Sequence, residues 1–253
     1  MARPAGMTPH ELAPWGPVEP VRRLTGGHRT EVLEVVVGGR RAVARRSRRS
    51  AASLAWELDL VASLAELGFV VPMTIPTLDG RRSVAGIVVQ TFVEGHEPES
   101  DGDWERVVAE LRRLHDVTTG WAQRPGSRTV AELGSGDRSG DADLSAMPAD
   151  VVEMCRQAWL PLAAQPRSVV HGDPGPGNLR VTTSTVGIID WDEARVDAGV
   201  LDLADVPTRP LPEPIATTAG RAADAWEAAN GWQIEPAYAR RRLARLRAGG
   251  GHR

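Results

Sequence analysis

Short β-branched runs broken by glycine turns fill the first third of the chain, and longer helical periodicities fill most of the rest. Val21 to Leu24 and Glu31 to Val37 read as strands on either side of Thr25-Gly26-Gly27-His28-Arg29, and Gly38-Gly39 turns the chain into a third strand, Arg41 to Arg45. Ser50 to Leu67 predicts a helix stopped by Gly68, with Leu54, Leu58, Val61 and Ala65 as its apolar stripe. Val84 to Phe92 predicts a further strand running into Phe92-Val93-Glu94-Gly95. Asp103 to Val117 predicts a helix with Trp104, Val107, Val108, Leu111 and Leu114 on one face. Residues 119–147 are rich in Gly, Ser, Asp and Arg and read as an irregular connection. Pro148 to Leu162, Ala216 to Ala229 and Glu235 to Arg247 return to the helical period. Between them, Leu179 to Thr182 and Val186 to Ile189 flank a polar Thr183-Ser184-Thr185 turn and predict a hairpin.

Two polar features sit inside this apolar pattern. Glu57 falls on the helical stripe between Leu54 and Val61, and a buried carboxylate costs several kcal/mol unless a cation pairs with it. Arg45, at the end of the preceding strand, is the natural partner. The second feature is His171-Gly172-Asp173, followed by Asn178 and then by Ile189-Asp190-Trp191. With Ser184 at the centre of the hairpin, Asn178 and Asp190 lie opposite each other, and opposed residues share a face. An amide oxygen and a carboxylate are both hard ligands of the kind Mg²⁺ selects. Alone, Asp173 reads as a turn former before Pro174, and Asn178 as a cap where the hairpin starts. Together with Asp190 they read as a site.

His-Gly-Asp-x-x-x-x-Asn followed by Ile-Ile-Asp-Trp resembles the aminoglycoside phosphotransferase family, relatives of choline kinase and distant cousins of protein kinases. The resemblance implies an α+β, two-lobed protein-kinase-like fold: an N-terminal antiparallel sheet with one helix and a mainly helical C-terminal lobe. Residues 1–20 read from composition as a proline-rich arm, and the resemblance suggests a nucleotide-binding lobe over 21–93 and a catalytic and substrate lobe over 94–253. Asp173 is then the catalytic base, Asn178 a metal ligand, and Asp190 the main Mg²⁺ ligand bridging the phosphates of ATP or GTP. Arg45 and Glu57 correspond to the strand lysine and helix glutamate that secure those phosphates; the usual lysine is absent. Gly26 and Gly27 match the loop over the phosphates, backbone groups of Thr91, Phe92 and Val93 would read the base, and Asp202 matches a position that braces the catalytic loop. Asp192 is a candidate for an additional metal or substrate contact. His115 reads as structural.

The implied reaction moves the γ-phosphoryl group to a hydroxyl of a small molecule, such as an aminoglycoside or another antibiotic. The carboxylates from Asp192 to Asp205 are candidates for an acidic substrate pocket. The alternative is a kinase-fold module that binds nucleotide without transferring phosphate, because Pro174-Gly175-Pro176-Gly177 and the missing lysine depart from the family pattern. A protein kinase is disfavoured, since Asp202 follows Asp190 too closely for a long peptide-docking segment.

Composition narrows the partners. A formal charge of −3 supplies no general drive toward nucleic acid or anionic membrane, and all 30 of the Lys+Arg residues are arginine. The basic run from Arg40 to Arg49 is interrupted by apolar strand residues, which argues against a nucleic-acid patch. No apolar stretch approaches the ~18 residues of a membrane span, and the first twenty residues hold five prolines and no signal-like apolar run. A cytoplasmic protein is expected. Cys155, the single cysteine, excludes an internal disulfide and reads as a buried small residue.

Overall fold

A computed structural model describes residues 7–24 and 31–249 of the chain. They form two compact units, one from the residues up to Glu97 together with Gly175–Asp192, the other from Pro98–Pro174 with the chain from Glu193 onward. No helix among the described residues is long and apolar enough to cross a membrane.

The first unit opens on a short helix, α1 (Pro9–Leu12), whose N-terminus is closed by a reciprocal capping box between Thr8 and Glu11. A tight turn over Ala13–Trp15 follows. Leu12 and Trp15 are buried, and the Trp15 indole N–H donates to the Ile75 carbonyl at 2.8 Å. The five strands β1 (Val18–Arg23), β2 (Val32–Val37), β3 (Arg40–Arg46), β4 (Thr74–Ile75) and β5 (Ile87–Thr91) form one antiparallel sheet in the order β1-β2-β3-β5-β4. Strand β1 begins three residues earlier than the pattern suggests and contains Pro20. Its edge position and an irregularity between Pro20 and Arg22 accommodate the missing N–H. Val37 and Arg40 pair across a two-residue turn in which Gly38 and Gly39 both take positive φ (56° and 75°), the geometry that a tight hairpin requires.

Alternation along β3 and β5 separates two faces. Ala42, Ala44, Ile87 and Val89 pack with Val35, Met7, Leu12 and Trp15. The opposite parity carries Val43, Arg45, Val88 and Gln90, and Val88 packs there against Leu54 and Leu58 of α2 (Ala51–Glu66). Ser50 caps α2 by accepting from the Ser53 N–H.

The second unit is built on α3 (Asp101–Val117), α4 (Ala149–Trp159), α5 (Ile215–Asn230) and α6 (Pro236–Arg247). The apolar face expected for α3 is buried, from Trp104 through Leu114. On α5 the contact stripe is alanine: Ala222, Ala225, Ala228 and Ala229 pack with Trp159, Trp226, Leu243 and Leu246. The segment 119–147 is more ordered than its composition suggests. It contains the two-residue strands β6 (Arg138–Ser139) and β7 (Ala142–Asp143), and it buries Val130, Leu133 and Leu144 in the helical core. Polar anchors compensate for its lack of pattern: the Gln123 side chain brackets Val196, accepting from its N–H and donating to its carbonyl. Four further strands form two pairs, β8 (Arg167–Val170) with β11 (Arg195–Ala198) in this unit, and the hairpin β9 (Leu179–Val181) and β10 (Val186–Ile188) in the first.

Candidate active site

The buried charge of Glu57 finds the partner that physics demands. Its carboxylate, fully buried on α2, accepts from Arg45 Nη2 on β3. Arg45 Nε donates to Gln90 Oε1 at 2.9 Å, and Gln90 Nε2 donates to the Pro72 carbonyl at 3.0 Å. Gln90 lies opposite Val43, one diagonal step from Arg45 on the same sheet face. Two of the guanidinium nitrogens are thus fixed; Nη1 is buried without a hydrogen-bond partner among the described residues. Burial disfavours the charged guanidinium, but the charges of Glu57, Asp190 and Asp192 outweigh it and hold the Arg45 pKa above its ordinary value.

That influence places the end of the hairpin beside Arg45, within the first unit. The hairpin is held there by a hydrogen bond from the Ile188 N–H to the Val70 carbonyl and by reciprocal bonds between His96 and Val181. Gly95 is required at this contact: its φ is 135°, and an added Cβ would stand 2.9 Å from the Val181 carbonyl oxygen. The register differs from the sequence expectation by one position. Val186 pairs with Val181 across a two-residue turn, so Asn178 stands opposite Ile189, whose N–H donates to the Asn178 carbonyl. Asp190 lies one step beyond, with φ of 62°. A left-handed residue breaks strand alternation, so pairing parity does not decide where its carboxylate points.

Asp192 Oδ2 accepts from both Nε and Nη2 of Arg49 at 3.1 and 2.8 Å, with both side chains about 14% exposed. The pair ties the end of the hairpin to the segment before α2. Arg49→Met should lower stability by about 1–2 kcal/mol, between the values of surface and buried pairs. Thermal unfolding reads this as a fall in Tm; an unchanged Tm would mean that the pair contributes nothing to holding the hairpin.

The second unit supplies the His171-Gly172-Asp173 segment, directly after β8. Asp202, buried, accepts from the His171 N–H at Oδ2 (2.8 Å) and from the Gly172 N–H at Oδ1 (2.9 Å), while His115 Nε2 lies 2.9 Å from the same Oδ2. Asp202 and His115 therefore brace the segment. Burial alone would raise the Asp202 carboxyl; the hydrogen bond and charge of His115, the charge of His171 and the Gly172 N–H hold it below its ordinary value. Gly172 has φ of 89°, and a Cβ there would meet the Glu193 carbonyl oxygen at 2.6 Å, so only glycine fits. The Asp173 N–H lies 3.3 Å from His171 Nδ1.

Of the base-reading positions, the N–H groups of Thr91 and Phe92 already donate to the carbonyls of Met73 and Arg41. The Arg41 guanidinium covers the Phe92 ring at 3.8 Å. The Val93 N–H has no such partner among the described residues. Gly26 and Gly27 lie outside the described residues. The carboxylates expected to line an acidic pocket are already engaged: Asp192 by Arg49, Asp197 by Arg195, Asp202 as above, and Asp205 by Arg242 and Arg245. Among the described residues no group of three or more His, Cys, Asp or Glu side chains is arranged to hold a metal.

Sequence reasoning missed Gln90 and Arg49. Gln90 had a readable signal, a lone amide closing an apolar strand at the parity of Arg45. Arg49 had none, because its partner lies 143 residues away.

Residues 20–244 match the phosphotransferase enzyme family. The chain belongs to that family. A search of curated proteins finds no match. Among solved structures, this family member is similar in fold to an aminoglycoside phosphotransferase, a thermostable APH(4)-Ia mutant in ternary complex with AMP-PNP and hygromycin B (12% identity, TM-score 0.65, 93% of this chain and 94% of that one). It is also similar to a choline/ethanolamine kinase family protein from Mesorhizobium loti (19% identity, TM-score 0.56, 97% and 92%). A third is the amicoumacin kinase hAmiN in complex with AMP-PNP, Ca²⁺ and Ami (16% identity, TM-score 0.56, 98% and 83%). At these identities the likeness shows the fold, a kinase-like α+β architecture.

Proposed function

We propose that this phosphotransferase moves the γ-phosphoryl group of ATP to a hydroxyl group of a small molecule. The observation that carries the reading is the Arg45 guanidinium: buried, charged, fixed through two nitrogens, and left with Nη1 for an acceptor that the described residues do not supply. A phosphate oxygen is the acceptor best matched to a desolvated guanidinium N–H. The complexes of the structural relatives with AMP-PNP support a nucleotide in this role.

Asn178 and Asp190 would hold Mg²⁺. Their oxygens suit a hard cation that takes one or two protein carboxylates or carbonyls and completes its shell from phosphates and water. When bound, the metal neutralises charge that develops on the phosphates. Asp173, presented by a segment that Asp202 holds from behind, accepts the proton of the attacking hydroxyl. Arg45 Nη1 orients the phosphates, and Glu57 holds the guanidinium through Nη2. Positioning and electrostatics supply most of the rate.

The acceptor belongs to the hydroxylated small molecules, and the reading does not require a polycation. A cationic aminoglycoside would need free carboxylates, and those from Asp192 to Asp205 already have internal cations or donors.

Calorimetric titration of the purified protein with Mg²⁺ and AMP-PNP should show metal-dependent binding. A screen of amino alcohols, aminoglycosides and macrolides with ATP should then reveal an acceptor that gains the mass of one phosphoryl group. Asp173→Asn should bind AMP-PNP normally and lose turnover on the order of 10²-fold. A folded wild-type protein that binds no nucleotide would sink the assignment. Binding without transfer to any acceptor would favour a regulatory module.

A further inference from the structure

The Arg45 cluster contains a residue whose part the proposed reaction leaves open. Lysine in such a position carries all its donors on one nitrogen, so a single glutamate and a phosphate satisfy it. Arginine spreads five N–H groups over three nitrogens in a rigid plane, and each nitrogen buried here needs its own acceptor or forfeits a charged hydrogen bond. Glu57 takes Nη2. Gln90, 4% exposed, takes Nε and is itself anchored by its other amide atom on Pro72. The plane is then determined, and among the described residues Nη1 is the nitrogen left over.

We infer that Gln90 is a positioning residue that makes arginine competent at position 45: by accepting from Nε it fixes the guanidinium plane so that Nη1 is directed to the nucleotide phosphates. This rests on the reading of the protein as a nucleotide-dependent phosphotransferase. Position 90 faces the same side of the sheet as Arg45, so its side chain decides which donor at 45 can be used. An apolar residue there would leave Nε buried without an acceptor. A glutamine facing a lysine would instead draw the ammonium back between Gln90 and Glu57, away from the phosphates.

The test is a double-substitution cycle with Mg²⁺ and AMP-PNP as the probe, read by calorimetry on the full chain, with thermal unfolding beside it. Gln90→Met should weaken AMP-PNP binding about tenfold, as for loss of a hydrogen bond to a charged group. Arg45→Lys should weaken it further, yet cost several-fold less when made in Q90M than in the wild type. A purely structural role for Gln90 predicts a lower Tm with unchanged affinity in the folded protein, and additive effects in the cycle; either result overturns the inference while leaving the proposed function intact. Absence of binding by the wild type removes both. If Q90M does not fold, nitrogen-15 resonances of the Arg45 side chain, assigned by their loss in R45K, decide the point in wild-type protein. AMP-PNP should move the Nη1 resonance and leave Nε slow to exchange. A perturbed Nε with an unmoved Nη1 overturns the assignment.

Discussion

Asp190→Asn should abolish Mg²⁺-dependent binding of AMP-PNP and reduce turnover on the order of 10³-fold, the upper range for loss of one preorganised charge-stabilising group. Asparagine is the informative replacement because Asp190 sits at φ of 62°, a left-handed conformation that aspartate and asparagine tolerate better than other residues with a side chain. The backbone therefore survives and only the charge is lost. Asp190→Ala should show the same functional loss together with about 1 kcal/mol of destabilisation from holding alanine there. Asp190 is also one of the groups whose charge raises the Arg45 pKa, but an arginine stays protonated at any working pH without it. Calorimetry separates the effects: with Mg²⁺ omitted, wild type and D190N should bind AMP-PNP alike, and only the wild type should gain affinity on adding the metal. Wild-type metal dependence in D190N would remove Asp190 from the metal site and leave the cause of its strained backbone unexplained.

The local structure around this residue shows which features a sequence carries. Strands β9 and β10 were legible because β-branched runs flanking polar residues leave few alternatives. Their register was not, because Thr183-Ser184-Thr185 allows a loop centred on Ser184 or a two-residue turn. The molecule takes the second, with the Thr182 N–H bonded to the Thr185 carbonyl. That half-step moved Asn178 from Asp190 to Ile189. The Arg45–Glu57 pair was legible from burial energetics, since a carboxylate on an apolar stripe demands a nearby cation. What the carboxylates from Asp192 to Asp205 face was not legible, because composition counts carboxylates without showing the arginines that the fold sets against them, and Arg49, Arg195, Arg242 and Arg245 come from distant or unpatterned positions. The bracing by Asp202 was readable only through the family resemblance, because its partners are backbone N–H groups.

Asp202→Asn should be the most destabilising of these substitutions, at about 3–5 kcal/mol, the range for breaking a buried charged group away from its partners. The wild-type carboxylate accepts from His171 N–H, Gly172 N–H and His115 at once. An amide keeps one acceptor oxygen and sets an NH₂ group against a donor, whichever way it turns. At roughly 2–4 °C per kcal/mol for a protein of this size, the melting temperature should fall by on the order of 10 °C. The pH dependence carries the sign of the cause. The folded-state carboxyl of Asp202 is held below its ordinary value, so its contribution is complete above the unfolded-state pKa of ~3.9 and is lost as pH falls through the depressed folded value. The gap between the wild-type and D202N melting temperatures should accordingly be wide at neutral pH and close in acid. In the folded D202N protein kcat should drop more than AMP-PNP affinity, because the segment it supports carries Asp173 and not the phosphate-holding cluster of Arg45. A gap that stays constant down to pH 2, or a loss of nucleotide affinity with kcat preserved, would show that Asp202 does not act through the His171–Asp173 segment.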